Sequence, residues 1–333
     1  EPIIGLIKHF SDLLKNTNSE NINQAWEKMY GSSVFWNREG IGIGVMGGIN
    51  IAMYDLLGKR MKTPVFKLLG GLQKENIKIY ASNGLFDNSK QLLEDAKKAY
   101  SLGFRVYKMR VIDPDTISDL VKSFNKKFKN RMQLIVDAVQ GSSANPWATK
   151  VSINLAKKLE REEIVFLEEP CRVENINGYK DIKKFSTLNI AGAESIPTAR
   201  AFKKYLEEDV FDILQFDIAT SGFIEGRRIC DLAYIHNKPV AIHSWGSAIS
   251  IMAGIHLGLT VPNVAFTEYC FMDHPINKEL FENKKIKINN GCTSRPNCHG
   301  LGVHFKDVLS KKFQYKEKIN TMISTKNDEI KLK

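Results

Sequence analysis

From about residue 77 the chain repeats one unit. A short apolar run closes on a polar or charged residue, a loop follows, then an amphipathic segment, then the next apolar run. The runs fall at 77–81, 105–110, 134–137, 164–168, 188–194, 211–217, 239–243 and 264–268. From Arg110 the closing residues recur at Asp137, Glu168, Glu194, Asp217, His243 and Glu268, at steps of 27, 31, 26, 23, 26 and 25 residues. A strand, a loop and a helix of about three turns need this much chain. The intervening segments carry a helical pattern. In 89–100 the apolar residues Leu92, Leu93, Ala96, Ala99 and Tyr100 form one stripe, and Gly103 supplies the stop.

Eight such units predict an α/β fold of the closed (β/α)8, TIM-barrel type, in which the C-terminal strand ends share one mouth. Those ends carry Lys108, Arg110, Asp137, Glu168, Glu194, Asp217, His243 and Glu268, an acidic set that capping alone does not require. An open doubly wound sheet is the alternative, but no Gly-x-Gly-x-x-Gly follows any of the runs. Residues 1–76 lie outside the repeat, with helices expected over 2–14, 22–30 and 48–59, the last after the glycine-rich 40–44. The reading is a capping domain over 1–76, the barrel over 77–301, and a basic segment over 302–333 that returns to the cap.

Composition narrows the function. The 333 residues are 43% hydrophobic, ordinary for a globular protein, with no run of 18 apolar residues and no basic-then-apolar leader. No membrane partner and a cytoplasmic location are therefore expected. The net charge is +11, but the lysines are scattered among acids on helices. The densest clusters, 126–129 and 284–287, accompany no nucleic-acid motif, so solvated faces are the reading and no nucleic-acid partner is expected. Five cysteines, an odd number, indicate free thiols. Cys292, Cys298 and His299 lack a fourth ligand and the paired spacing of a zinc site.

The acidic strand ends carry the chemistry. Asp137, Glu168 and Glu194 end three consecutive strands. Two like charges about 4 Å apart repel by roughly 4 kcal/mol at an effective dielectric of 20. An all-oxygen site of this kind suits Mg²⁺; three separate salt bridges are the alternative, and Glu169 competes with Glu168 as ligand. His243 and Asp217 end adjacent strands, so the carboxylate can fix the imidazole tautomer and raise the basicity of Nε2. Lys108 and Arg110 are two apart on one strand and share a face. Arg110 stays protonated, which suits a clamp and not a base.

These residues resemble the enolase superfamily, and within it the mandelate racemase-like group of the mandelate racemase/muconate lactonizing enzyme family. The similarity runs over nearly the whole chain. Residues 51–59 and 64–71 resemble the end of that family's capping domain. Lys108-Met109-Arg110 stands where the family has Lys-x-Lys, Glu168-Glu169-Pro170 resembles its Glu-Glu-Pro, and Gly192-Ala193-Glu194 its Gly-Gly-Glu. Asp217 followed by Ser221-Gly222, and His243-Ser244-Trp245-Gly246-Ser247, match its sixth and seventh strand ends. The resemblance implies Mg²⁺ held by Asp137, Glu168 and Glu194, with Glu168 favoured over Glu169. It also implies His243 as base, Lys108 on the substrate carboxylate, and Glu268 hydrogen-bonded to that carboxylate.

The implied reaction is removal of an α-proton from a small carboxylate to give a metal-stabilised enediolate. For a sugar acid it ends in loss of the β-hydroxyl and a 2-keto-3-deoxy acid. A racemase or epimerase and a non-catalytic binding relative are the alternatives. A homo-oligomer is expected. Two departures stand out: Arg110 replaces a lysine, and the chain begins partway into the family's cap, so the first cap strands are expected to be missing.

Overall fold

The structure is a computed structural model and describes residues 2–86, 88–111, 113–272, 274–281, 286–305, 309 and 312–313. Eight strands pair in parallel: β1 (Asn76–Leu85), β2 (Val106–Arg110), β3 (Gln133–Asp137), β4 (Ile164–Glu168), β5 (Ile190–Gly192), β6 (Ile213–Leu214), β7 (Val240–Ile242) and β8 (Val264–Cys270). Each pairs with the next, and β8 and β2 both pair with β1, which closes the barrel. A ninth strand, β9 (Cys292–Ser294), runs antiparallel to the start of β1. All eight expected runs are strands. Three shrink: 188–194, 211–217 and 239–243 leave the ladder within three residues, because their last residues turn into the loops of the mouth.

Twelve helices are described. α1 (Pro2–Leu14), α2 (Ile22–Ser33), α3 (Ile41–Arg60) and α4 (Val65–Leu68) precede the barrel. Then follow α5 (Ser89–Ser101), α6 (Ile117–Phe128), α7 (Thr149–Leu159), α8 (Ile176–Phe185), α9 (Ala199–Glu207), α10 (Ile218–Ile235), α11 (Ala248–Gly258) and α12 (Pro275–Leu280). In α5 the predicted stripe is the buried one: Leu92, Ala96 and Ala99 face the barrel. Asn88 caps its start by accepting from the Gln91 N–H at 3.0 Å.

The strand period of two sorts the barrel's residues. Tyr80, Val106, Ile135, Phe166, Ala191, Ile213 and Ala241 form a separate apolar cluster that plugs the interior. Two residues further along, the same inner face carries Ser82, Lys108, Asp137, Glu168, Gln215 and His243, with Glu268 on β8 above Phe266. The polar residues thus stand on the apolar plug.

The helix expected over 48–59, after the glycine-rich 40–44, starts earlier: α3 begins at Ile41 and takes in 41–44, with Gly40 at its N-cap. Glycine is a poor helix former, and close packing compensates here. A Cβ on Gly47 would stand 2.2 Å from the Thr220 carbonyl oxygen of α10. α3 is long and apolar enough to cross a membrane by length and composition. Its apolar surface packs on the cap cluster of Phe10, Trp26, Met29, Ile43, Met46 and Ile224. Of the C-terminal segment, 306–308, 310–311 and 314–333 lie outside the described residues, as do 284 and 285 of the basic cluster 284–287. The described part touches α3: Leu301 N–H donates to Asp55 Oδ1 at 2.8 Å, and Lys59 Nζ to the Val303 carbonyl at 3.0 Å.

His256 shows how the cap side is tied to the barrel. It is fully buried on α11, where Nδ1 accepts from the Phe66 N–H at 3.1 Å and Nε2 faces the Leu301 carbonyl at 3.3 Å. That pairing requires the neutral ring, and burial pushes its pKa down to about 4. Between that value and the ordinary 6.5 the unfolded chain takes up a proton that the folded chain refuses. Stability therefore falls as pH falls through this window, by about 3 kcal/mol. Urea unfolding at pH 7 and pH 4 should show His256→Gln losing about that much less than the parent over the interval; equal losses would contradict it.

Candidate active site

The barrel register sets the polar strand ends side by side. Arg110 lies opposite Asp137, Asp137 opposite Glu168, Ser82 opposite Lys108, and Tyr80 opposite Glu268. An isolated parallel bridge joins Asp217 to His243 just beyond β6 and β7. All eight residues singled out in the sequence lie at this mouth.

Lys108 is the hub. Its ammonium is 2.7 Å from Glu168 Oε1, 3.1 Å from Glu268 Oε1 and 3.5 Å from Asp137 Oδ2. Burial opposes its charge, but these carboxylates override that and hold its pKa well above the ordinary value. Glu268 also accepts from the Ser244 N–H at 3.0 Å. Burial pushes its pKa up, Lys108 and His243 pull it down more strongly, and it settles at about 2. Glu268 is thus an ionised partner of Lys108, the salt bridge across the barrel mouth.

The three carboxylates expected around one ion do not converge on a point. Among the described residues no trio of acid, histidine or cysteine side chains is arranged to hold an ion. Asp137 and Glu168 face Lys108, while Glu194 turns its Oε2 to His243 Nε2 at 3.1 Å. Mutual repulsion drives each acid to the nearest cation, the separate-salt-bridge arrangement. The match is incomplete. Glu168 Oε2 is buried with no hydrogen-bond partner. Burial first, then the Asp137 charge, push the Glu168 pKa to about 8. Five carboxyls (Asp137, Glu168, Glu194, Asp217, Glu268) face three basic groups, Lys108, Arg110 and His243. The orphaned oxygen, the acid excess and the all-oxygen donor set fit a hard divalent cation. Glu169 points elsewhere: its Oε1 accepts from the Ala193 N–H at 3.3 Å, behind the mouth.

The dyad is formed. Asp217 Oδ2 is 2.7 Å from His243 Nδ1, and its Oδ1 accepts from the Thr220 N–H at 2.8 Å, capping α10. α10 breaks at Gly222 (φ 63°, ψ −170°), and Asn50 Oδ1 of α3 accepts from the Phe223 N–H at 2.8 Å beyond the break. The cap thereby fixes the turn that aims Asp217. Burial lowers the His243 pKa, but Glu194, Glu268 and Asp217 outweigh it and raise it to about 10. With Nδ1 bound to Asp217, Nε2 is the atom turned to the cluster.

Arg110 stands off its neighbouring carboxylate, with Nε 3.7 Å from Asp137 Oδ2, and its Cζ lies over the Trp245 ring, 3.7 Å from the ring centre. Trp245 stands within the 243–247 motif, which by itself assigns it no role. Tyr80 and Gln215 also line the barrel with buried polar atoms that have no partner; their period-two spacing from Ser82 and Asp217 is the signal in the sequence that marks them.

The loops after the acidic strands are strained. Val139 (φ 54°), Glu169 (φ 41°) and Ala193 (φ 82°) take left-handed conformations beside Asp137, Glu168 and Glu194 respectively. Such strain gathers at functional sites. Ala193 stands where a glycine would fit without strain. Ala193→Gly should raise stability by about 1 kcal/mol, less the added freedom of the unfolded chain; a loss of stability in urea unfolding would show that this turn is unstrained.

Residues 91–308 match the family described as enolase C-terminal domain-like, and residues 4–70 match the mandelate racemase/muconate lactonizing enzyme N-terminal domain. An arabinonate dehydratase of Saccharolobus solfataricus is 26% identical over 315 residues, covering 93% of this chain and 82% of its own. A D-galactonate dehydratase of Pectobacterium atrosepticum is 28% identical over 324 residues, covering 91% and 82%. The crystal structure of the 3,6-anhydro-D-galactonate cycloisomerase from Zobellia galactanivorans superimposes with a TM-score of 0.87 at 29% identity, covering 94% of this chain and 88% of that one. With its capping domain and its barrel both matched, the chain belongs to the mandelate racemase/muconate lactonizing enzyme family of the enolase superfamily.

Proposed function

We propose that the protein removes the α-proton of a sugar acid and expels its β-hydroxyl as water, giving a 2-keto-3-deoxy acid. The dehydratase names of its relatives place it among the hydro-lyases of the superfamily. The observation that carries the reaction is the Asp217–His243 pair, with Nδ1 held at 2.7 Å and Nε2 turned to a cluster of carboxylates.

Asp137, Glu168 and Glu194 are the residues that would hold Mg²⁺. That ion supplies neutralisation of the charge a carboxylate gains as its α-carbon is deprotonated. The rest falls to the chain's own groups. Lys108 donates to the substrate carboxylate from a buried position, where a charge-assisted hydrogen bond is stronger than in water. Glu268 fixes Lys108 and Ser244 and so sets the depth of that contact. His243 Nε2 accepts the α-proton once Glu194 has turned from it, and Asp217 keeps the proton on Nδ1. The C–H bond breaks toward His243, the C–O bond breaks at the β-carbon, and the proton leaves with the hydroxyl as water. The enol then tautomerises to the ketone.

One-sided chemistry follows from Arg110. Racemisation needs a base on each face of the α-carbon, and arginine, with a pKa above about 12, does not deprotonate. Only the His243 face has a base.

Incubation with a library of acid sugars and Mg²⁺, read as 2-keto acid formation, tests the function; arabinonate and galactonate belong in that library. Exhaustive chelation should abolish turnover and Mg²⁺ should restore it. Full activity after chelation would refute the cation site. His243→Asn should lose about 10²–10⁴-fold in turnover; near-parental turnover would remove the base from His243. In D₂O the substrate's opposite α-epimer should not accumulate. Rapid interconversion of epimers with deuterium entering both would show two-base chemistry instead.

A further inference from the structure

We infer that Trp245 is a positioning residue for the candidate cation site: its indole holds the Arg110 guanidinium off Asp137 and keeps that carboxylate open. The inference rests on Asp137 as a cation ligand.

β2 and β3 set Arg110 directly opposite Asp137. A neighbouring arginine and carboxylate commonly close to about 2.7–2.9 Å. Here Arg110 Nε stops 3.7 Å from Asp137 Oδ2, beyond hydrogen-bond reach. No side-chain hydrogen bond joins Arg110 to any described residue. The Asp137 oxygens differ: Oδ1 already accepts from the Val139 N–H at 2.8 Å. Oδ2 accepts no hydrogen bond, with Lys108 Nζ 3.5 Å away as its ion-pair partner, and a closed Arg110 pair would occupy it.

What competes for Arg110 is the Trp245 ring, whose centre is 3.7 Å from Cζ. Trp245 lies two residues beyond His243, so from the end of β7 it reaches across the ends of β8 and β1 to β2. Its neighbours hold it there. Ser244 is bound twice to Glu268, through its N–H at 3.0 Å and its hydroxyl at 2.7 Å. Gly246, on the other side, takes φ 141°, which side chains rarely adopt.

Magnitudes favour the ring. A cation over an indole gains about 0.5–1 kcal/mol when exposed and about 2 when desolvated. A partly exposed Arg–Asp pair gains about 0–1 kcal/mol, and the Arg110 side chain is 22% exposed. Without the ring, Arg110 is free to swing onto Oδ2 and compete with a bound cation. Trp245 touches neither the ion nor the substrate in this account and acts through Arg110 alone.

Titration calorimetry with MgCl₂ tests this on the full chain, using the parent, Trp245→Leu, Arg110→Met and the double variant. Trp245→Phe serves as a second probe that keeps an aromatic face. Trp245→Leu should bind Mg²⁺ about tenfold more weakly, and Trp245→Phe should lie between it and the parent. The double variant should bind as Arg110→Met does, because with no guanidinium to swing the ring has no effect. Equal affinity in Trp245→Leu and the parent, or the same loss whether or not Arg110 is present, would overturn the inference while leaving the cation site intact. A parent that binds no Mg²⁺ would overturn the cation reading itself, and this inference with it.

Discussion

Everything at the barrel mouth is arranged around one buried ammonium. Lys108 lies among Glu168, Glu268 and Asp137, its side chain 1% exposed. An ammonium in such a place, unpaired, costs several kcal/mol, so it exists there because carboxylates surround it. They in turn are tolerable there because it is present. That mutual dependence ties β2, β3, β4 and β8 together by charge as well as by ladder. It leaves an excess of negative charge that the chain's own cations do not match. Glu168, raised to about 8 with one oxygen unpartnered, carries the mismatch.

The cap matters through one contact. Asp217 has to present Oδ2 to His243 while α10 starts from the same residue. That is achieved by breaking α10 at Gly222 and anchoring the N–H groups beyond the break on Asn50. Asn50 comes from α3, which lies close against α10 at Gly47. Hydrogen bonds thereby run from the cap through α10 to the Asp217–His243 pair.

Much of this was legible in the sequence. The 23–31-residue spacing of polar strand ends follows from the geometry of a β/α unit, and the alternation within each run fixes which residues face inward. That is why the sequence could place Lys108, Asp137, Glu168, Asp217, His243 and Glu268 together at one mouth. What was not legible depends on packing between distant segments. α3 starts seven residues before the expected Gly48 and includes Gly47, where α10 approaches too closely for a side chain. Glu194 reaches the mouth only through the left-handed turn at Ala193, a backbone feature with no periodic signature. The Arg110–Trp245 contact joins residues 135 positions apart on strands that are not neighbours, and neither run alone announces it.

We propose that Asp137, Glu168 and Glu194 share one divalent cation, with Lys108 and His243 as their partners otherwise. Anomalous diffraction from crystals grown with Mn²⁺ tests it most directly. The account predicts a single anomalous peak bonded to one oxygen from each of the three carboxylates, with Glu194 turned away from His243 and Glu168 Oε2 no longer orphaned. A peak elsewhere, or Mn²⁺-saturated crystals in which Glu194 still pairs with His243 and no peak lies at the mouth, would contradict it.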